Sequence, residues 1–224
     1  MNSLYENTIG RLVFRVILTI VAIVALILSF TGSSPVALYF TNWSVWFAAA
    51  MTFITIIGTF MSRSGNESVL DNGIYRLLKF AAEVMIFATF VVSSFVLPDK
   101  IWTSGFWTLG GAFKHCFLPL LFIADGILCD KRNSYKIGYV FFALVPPIAY
   151  WTAVIVRFVN YRNSIGGAIP EEQWDRYYPY GFTNIDDGHT LTFLICLLAG
   201  IAVALVITGF VFYALNRKRA KQNS

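Results

Sequence analysis

Four ionisable residues lie inside otherwise apolar stretches of this sequence, where a charge is costly and needs a partner or a function. They are Glu83, Lys114, His115 and Asp125. On one helix, Lys114 and Asp125 share nearly the same face but lie about 16 Å apart along the axis, too far to touch. For Glu83 and Asp125 the sequence leaves three interpretations open: a carboxyl pair that shares a proton, a contact from Glu83 to a neighbouring basic helix end, or structural polar packing with snorkelling.

His115 is followed four residues later by Pro119. Proline has no amide hydrogen, so the carbonyl of residue 115 loses its helical partner and the helix is predicted to open there. Inside a membrane that carbonyl needs water or a partner from the bundle. This position makes His115 a candidate active group, and a histidine that simply packs in its helix is the alternative.

Thr41 and Ser44 are three residues apart, so they share a helix face. Both can simply cap or back-bond the start of a helix. A hydroxyl becomes a nucleophile when an adjacent base takes its proton, and the candidate bases are His115 and, in a later loop, His189. The helix rise places Thr41 about 9 Å further out than His115, so pairing them requires a tilted or protruding helix.

The elements that must position these residues are long apolar segments. Of the 224 residues, 57% are hydrophobic and 13% are charged, with a mean hydropathy of +0.66. This composition excludes disordered, collagen-like and secreted disulfide-rich chains and disfavours a soluble domain. About 20 apolar residues cross a bilayer as a helix, and the segments of that length are 12–31, 39–61, 76–98, 106–129, 138–158 and 190–213. We predict a single domain over 1–224, an all-α polytopic membrane protein with six transmembrane helices in one bundle.

Lysine and arginine positions predict the orientation of this bundle. With the N-terminus inside, twelve of these residues fall on the inner side, four fall on the outer side, and Lys114 lies within a span. The inner set is Arg11, Arg15, Arg63, Arg76, Lys79, Lys131, Arg132, Lys136, Arg217, Lys218, Arg219 and Lys221. The prediction is a multipass protein of the cell membrane with both termini cytoplasmic. Most of the net charge of +5 belongs to these flanks, so it indicates a membrane rather than a nucleic acid.

The longest connection, about 159–189, is predicted to lie outside and is rich in aromatic residues, including Tyr178 and Tyr180. Loops of this length are usually functional or disordered, and the aromatic content favours an ordered cap over the mouth of the bundle. All six tryptophans also fall in the outer half. An aromatic belt at the interface explains this distribution, and an outer mouth that binds an amphipathic molecule is the alternative.

The sequence has no zinc-ligand spacing, phosphate-binding loop, serine-hydrolase elbow or nucleic-acid-binding module. Its three cysteines (Cys116, Cys129 and Cys196) lie in apolar stretches and predict no disulfide framework. We expect no metal, no organic cofactor and no nucleic-acid partner. The pattern gives no prediction of oligomeric state.

Three short motifs occur in order along the predicted spans: Phe40-Thr41-x-x-Ser44, His115-x-x-x-Pro119-Leu120-x-x-x-x-Asp125 and Tyr178-Pro179-Tyr180-x-Phe182. With the order and spacing of the helices over nearly the whole chain, they resemble the bacterial six-helix integral membrane proteins related to the androgen-induced and androgen-dependent tissue-factor-inhibitor-regulating proteins of animals. The resemblance implies a multipass threonine hydrolase that acts on fatty acid esters of hydroxy fatty acids. It also implies that Thr41 is the nucleophile and that His115 is its histidine partner.

The first functional hypothesis is therefore a lipid-ester hydrolase or acyl-transfer enzyme that takes a fatty-acyl ester from among the membrane lipids. His115 would accept the proton of the nucleophile and return it to the leaving alcohol. Candidates for supporting the substrate or the oxyanion are Ser44, Lys114, Tyr178 and Tyr180.

Two alternatives belong to other functional classes. One is a proton-coupled transporter or channel for a small solute, in which the four ionisable residues within the spans form a relay; the absence of an obvious internal repeat disfavours it. The other is a non-catalytic membrane scaffold. The arrangement in space discriminates between them, because an enzyme needs Thr41 and His115 at one cavity and a relay needs a continuous path.

Overall fold

The computed structural model describes residues 6–31, 39–96, 108–180, 183–187 and 191–218, and this part of the chain contains no β-strand. Six helices in it are long and apolar enough to cross a membrane. They are α1 (Thr8–Ser29), α2 (Phe40–Arg63), α3 (Gly73–Val91), α4 (Leu109–Leu128), α5 (Gly138–Ile165) and α6 (Leu191–Lys218). The predicted all-α architecture with six spanning helices is confirmed.

Local sequence signals explain where several of these helices begin and end. The Asn7 side chain caps α1 by accepting the Gly10 N–H at 2.9 Å, and Asn72 caps α3 by accepting the Ile74 N–H at 2.8 Å. Helix α5 ends at Gly166, whose φ of 71° is left-handed and suits a residue without Cβ.

Three of the spans are interrupted by other backbone geometry. Helix α3 continues into a π-helical turn at Val92–Val96, and α4 contains a π-helical turn at Phe113–Phe117 between two α-helical segments. Helix α5 breaks between Gly138–Phe142 and Val145–Ile165, with prolines in the first turn of its second segment. Single π turns of this kind are frequent at functional sites.

The first four helices form the tightest part of the bundle. Ala22 and Ala25 of α1 and Ala48 and Ala49 of α2 are buried in one core, and their small side chains let the two backbones approach closely. Helix α6 is more peripheral, because much of its length, including Ile195, is exposed. Such an apolar surface is expected on a helix that faces lipid rather than water.

The helix bounds differ most from the predicted ones in the last two spans. Helix α5 continues to Ile165 rather than ending near residue 158, so the predicted loop 159–189 loses its first seven residues to the helix. The charge pattern assigns Arg157 and Arg162 to the outer side. Arg162 lies on this extension and Arg157 lies just before it on the same helix, since a helix can continue beyond the apolar layer. Helix α6 likewise continues to Lys218 rather than 213. The predicted ends at 97–98 and 106–107, with Phe182 and His189, lie outside the described residues.

A compact segment follows α5; residues 166–180 and 183–187 are here named the cap. It contains a short helix, Trp174–Tyr177, and is held together by the Asp186 carboxylate. That carboxylate pairs with Arg162 and accepts the Tyr178 hydroxyl at 2.7 Å and the Ile169 N–H at 2.9 Å. The predicted loop is therefore ordered over its described part.

The two ends of the bundle are distinguished by these contacts. At one end, named the cap end, the Tyr180 hydroxyl of the cap contacts the start of α2. At the other, named the termini end, Arg15 of α1 pairs with Asp130, and Asn216 of α6 accepts the Ser134 N–H at 3.0 Å. The start of the first helix and the end of the last therefore lie together.

Candidate active site

A cavity of about 300 Å³ opens at the cap end of the bundle. It lies between the start of α2, the end of α3, the π turn of α4, the proline-containing part of α5, helix α6 and the cap. Its walls are mostly apolar. The polar side chains that line it are those of Tyr39, Thr41, Asn42, Thr89, Ser93, Lys114, His115, Trp151 and Tyr180. Thr41, Lys114, His115 and Tyr180, which the sequence singles out, thus meet at one place.

Thr41 lies in the first turn of α2, whose N-cap residue Tyr39 makes no side-chain cap. Tyr180, from the segment named the cap, replaces this missing N-cap hydrogen bond. Its hydroxyl accepts the Phe40 N–H at 3.1 Å and also hydrogen-bonds with Thr41. Burial raises the pKa of Tyr180 to about 12, so this hydroxyl keeps its proton at neutral pH. Thr41 lies in the first turn of α2, where the helix dipole favours negative charge.

His115 lies in the π turn Phe113–Phe117, where the Leu118 N–H bonds to the Phe113 carbonyl five residues earlier. The departure from α geometry occurs where Pro119 predicts that the helix opens. The Nδ1 atom of His115 is buried and has no hydrogen-bond partner among the described residues. A buried nitrogen in this state is unusual and indicates a place for water, substrate or another polar group.

Lys114 precedes His115 and lines the same cavity. Within the described ranges Lys114 has no carboxylate partner, whereas the buried Lys79 of α3 has two. A half-buried ammonium in a mostly apolar cavity provides a positive charge that a negative group of a ligand can neutralise.

Ser44 and Tyr178, two predicted support residues, lie outside the lining of this cavity. The buried Ser44 hydroxyl lies 2.9 Å from the Thr41 carbonyl and 2.6 Å from the Thr89 hydroxyl. Ser44 therefore stabilises the cavity wall without facing the cavity. Tyr178 donates to Asp186 within the cap, and burial raises the pKa of its hydroxyl to about 12. Neither side chain is placed to contact a molecule in the cavity, because helix rotation and cap packing turn both away.

The carboxyl groups predicted within the spans lie at the termini end instead. Asp125 is 1% exposed and binds Arg15 at 2.8 Å and Lys79 at 2.5 Å. Glu83 contacts the Tyr135 hydroxyl at 2.8 Å. Glu83 and Asp125 therefore form no direct pair with each other, and the partners of Asp125 are two basic residues that the sequence suggests only as flanking charges.

The four ionisable residues of the predicted relay consequently fall into two groups. His115 and Lys114 line the cavity at the cap end, and neither Glu83 nor Asp125 is part of that lining. Asp125 is held in ion pairs at the other end. This distribution favours separate roles for the two groups.

Thr89 of α3 and Ser93 of the π-helical turn that follows it are cavity residues that the sequence reasoning missed. They are one helical turn apart on the same face, and each hydroxyl bonds to a carbonyl of its own helix four residues earlier, at 3.2 Å for Thr89 and 2.6 Å for Ser93. Their spacing in an apolar segment is the signal that could have identified a polar strip facing inward.

In the described ranges, no group of three or more histidine, cysteine, aspartate or glutamate residues could hold a metal ion. Comparison of the chain with family models, with curated proteins and with solved structures finds no match.

Proposed function

We propose that this protein is a membrane-embedded hydrolase or acyl-transfer enzyme for lipid esters, with Thr41 as nucleophile and His115 as base. The observation that carries the proposal is that these two residues, far apart in sequence, line one cavity in which the histidine Nδ1 is buried and unpartnered among the described residues. A nucleophile and a base at one site are the minimum that acyl transfer needs.

In this mechanism the Thr41 hydroxyl oxygen attacks the ester carbonyl carbon while a ring nitrogen of His115 accepts the hydroxyl proton. The tetrahedral intermediate then expels the alcohol, which takes that proton from His115. An acyl-threonine remains. Water, or a second alcohol for acyl transfer, attacks the acyl carbon with His115 again accepting the proton, and the proton returns to the Thr41 oxygen as the acid or new ester leaves.

Negative charge on the carbonyl oxygen is the main electrostatic problem of this reaction. The cavity offers two sources of stabilisation, the Lys114 ammonium and the N-terminal end of α2. Tyr180 contributes differently. By accepting the Phe40 N–H, it fixes the first turn of α2 and thereby the position of Thr41.

The proposed substrate is a fatty-acyl ester drawn from the membrane. An apolar wall for an acyl chain is supplied by the lipid-exposed helix α6 and by the end of α3 with its π-helical turn, through Ile201, Leu205, Ala88 and Val92. A cavity of about 300 Å³ accommodates the ester and part of a chain rather than a whole lipid. The remainder of the chain would extend along α6 into the bilayer.

The six apolar helices make this a multipass membrane protein. We further propose the cell membrane as its location, with the termini end cytoplasmic and the cap end outside, on the basis of the lysine and arginine asymmetry. An enzyme reporter inserted after Asp175, in the cap, should be active only if it is non-cytoplasmic. Activity of a reporter that works only in the cytoplasm would reverse the orientation.

The decisive experiment uses the purified protein in lipid bicelles with a fluorophosphonate probe and a fluorogenic long-chain acyl ester. Thr41→Ala and His115→Ala should each abolish probe labelling and ester cleavage, and the double variant should lose little more, because the two residues act as one unit. Thr208→Ala is the matched threonine control, since its hydroxyl bonds to the Ala204 carbonyl of its own helix and does not line the cavity. His189→Ala tests the other candidate base.

Cleavage that survives Thr41→Ala in a correctly folded protein would remove the nucleophile and with it the proposal. Loss of cleavage in His189→Ala but not in His115→Ala would transfer the role of base to the other histidine. Transport or a scaffold role has less support, because the ionisable groups of the relay lie at opposite ends of the bundle.

A further inference from the structure

The termini end contains a buried charge network that the proposed reaction does not use. Arg15 and Lys79 are 2% and 1% exposed, and each contacts both Asp125 and Asp130 at distances between 2.5 and 2.8 Å. Arg15 also donates to the Thr59 hydroxyl at 2.8 Å. Two cations and two carboxylates balance each other, as burial away from water requires.

Glu83 is a third carboxyl group beside this balanced set and is only 3% exposed. It is packed tightly, because a Cβ on Gly126 of α4 would lie 2.1 Å from its Oε1 atom. If Glu83 were ionised, the cluster would carry an uncompensated negative charge inside the bundle. Burial of such a charge is strongly unfavourable.

Tyr135 links this third carboxyl to the network, and its two contacts indicate how many protons the linked groups hold. Its hydroxyl oxygen lies 2.8 Å from Glu83 Oε1 and 3.1 Å from Asp130 Oδ2. Burial raises the pKa of Tyr135 well above its usual value, so the phenol keeps its proton. A phenol has one proton to donate, and two short contacts to carboxyl oxygens are both favourable only if one of those carboxyls brings a second proton.

We propose that Glu83 is a neutral carboxylic acid in the folded protein, donating its proton to Tyr135, which donates in turn to Asp130. The proton belongs on Glu83 rather than Asp130, because Asp130 is already neutralised by Arg15 and Lys79. This assignment gives the buried cluster zero net charge and makes both contacts of Tyr135 hydrogen bonds. It is independent of the proposed enzyme activity.

The charged and titratable groups that face Glu83 come from several elements. They are Lys79 on its own helix, Asp125 on α4, Arg15 on α1, and Asp130, Arg132 and Tyr135 on the loop between α4 and α5. Arg132 shares a small cavity with Glu83, Tyr135 and Asn216, and its guanidinium donates to the Ile127 carbonyl at 2.7 Å. This cavity is the side from which base or water can reach the proton.

Loss of the proton would act on the contact between α3 and this loop, which is attached separately to α6. The Asn216 side chain at the end of α6 accepts the N–H groups of Ser134 and Tyr135 at 3.0 and 3.4 Å. An ionised Glu83 would repel Asp130 across Tyr135 and turn one of the two phenol contacts unfavourable. Alkaline pH is therefore expected to loosen the loop from α3 while its attachment to α6 remains.

The test is infrared difference spectroscopy on the full-length protein in bicelles during a titration from acid to alkaline pH. A protonated carboxylic acid has a carbonyl stretching band well separated from the amide bands, and this band should persist at neutral pH in the wild type. It should be absent from Glu83→Gln at neutral pH and unchanged in Glu67→Gln, which removes an exposed carboxyl of the same type. Absence of a Glu83-dependent acid band at neutral pH would overturn the proposal.

Stability supplies a second measurement. An unfolded glutamate ionises above about pH 4.3, so a folded state that keeps the Glu83 proton loses stability as pH rises, by tenfold in the unfolding equilibrium per pH unit for one proton. Glu83→Gln should fold as well as the wild type at neutral pH and lack this one-proton dependence. If Glu83→Gln fails to fold, Tyr135→Phe decides, because it should shift the acid band without abolishing it. A Tyr135→Phe spectrum without the band, or with an unshifted one, would contradict the hydrogen-bonded assignment.

Discussion

The two ends of the bundle treat their buried polar groups in opposite ways. At the termini end, Arg15 and Lys79 have all their carboxylate partners within 2.8 Å. At the cap end, the Nδ1 atom of His115 is buried without a hydrogen-bond partner, and Lys114 has no ion-pair partner, in both cases among the described residues. The first arrangement holds helices together, and the second leaves hydrogen-bonding and charged groups available to bind a ligand. Partner satisfaction, rather than polarity itself, distinguishes a structural network from a candidate site.

Removing a carboxylate from the termini end should give the largest effect on folding. Asp125→Ala leaves Arg15 and Lys79 with only Asp130, and breaking a buried pair on one side costs about 3–5 kcal/mol. We expect little or no monodisperse protein in size-exclusion chromatography and a marked fall in thermal stability. Asp71→Ala is the control: Asp71 pairs with Arg76 and Lys131 at the surface, where such pairs contribute about 1 kcal/mol or less. Equal stability of the two variants would show that the buried network does not hold the bundle.

The two lysines within the spans provide a direct comparison of the ends. Lys114→Met should fold normally, since no partner among the described residues loses an ion pair, but should lower ester cleavage by about 10²–10³-fold if the ammonium stabilises the oxyanion. Lys79→Met should instead destabilise the fold by leaving Asp125 and Asp130 undercompensated. Thermal unfolding and turnover measured on both proteins separate the effects. A Lys114→Met protein with full turnover would remove this residue from the mechanism.

The sequence predicts much of this comparison but assigns some residues to the wrong environment. Six spans follow from the length of the apolar segments, and Pro119 correctly marks the departure from α geometry beside His115. The charge pattern identifies Arg15 and Lys79 only as flanking charges, because a rule for membrane orientation gives the side of a residue and not its burial. Their partners come from distant segments, so only the assembled bundle brings the four charges together.

Side-chain direction is the other quantity that local sequence does not supply. Ser44 and Thr41 are three residues apart, yet only Thr41 lines the cavity. Tyr178 and Tyr180 are two residues apart in the cap, yet Tyr178 bonds to Asp186 and Tyr180 to Phe40. The rotation of α2 and the packing of the cap determine these differences, and both depend on tertiary contacts.

A smaller, purely steric effect should distinguish two glycines of α4. A Cβ at residue 126 would meet the Glu83 carboxyl at 2.1 Å, whereas at residue 110 the nearest atoms lie 3.9 and 4.0 Å away. Gly126→Ala should therefore cost about 1–3 kcal/mol through overpacking. Gly110→Ala should be neutral or stabilising by up to about 1 kcal/mol, because alanine is the better helix former. Chemical denaturation of the two variants measures this, and a stable Gly126→Ala protein would mean that Glu83 can move away.

The smallest expected change in stability follows from removing one hydroxyl of the cap. Tyr180→Phe keeps the ring, which packs edge-on against Tyr39 with centroids 6.0 Å apart, but removes the acceptor of the Phe40 N–H. Loss of a helix N-terminal hydrogen bond of this kind costs about 1 kcal/mol. Turnover should fall more than stability, since the first turn of α2 positions Thr41. Tyr178→Phe is the matched control, because its hydroxyl bonds within the cap and not at the cavity.

Stability at alkaline pH adds a second measurement to the comparison of Tyr180→Phe with Tyr178→Phe. Burial raises the pKa of Tyr180 from 10 to about 12, so the folded state favours the protonated phenol. Its contribution to stability is fully present below pH 10 and is lost as pH rises through about 12. The pKa of Tyr178 is raised to a similar value, so both phenylalanine variants should weaken the loss of stability over this window. Only Tyr180→Phe should also lower turnover at neutral pH. If the two variants had the same turnover, the cap would protect the cavity without positioning the nucleophile.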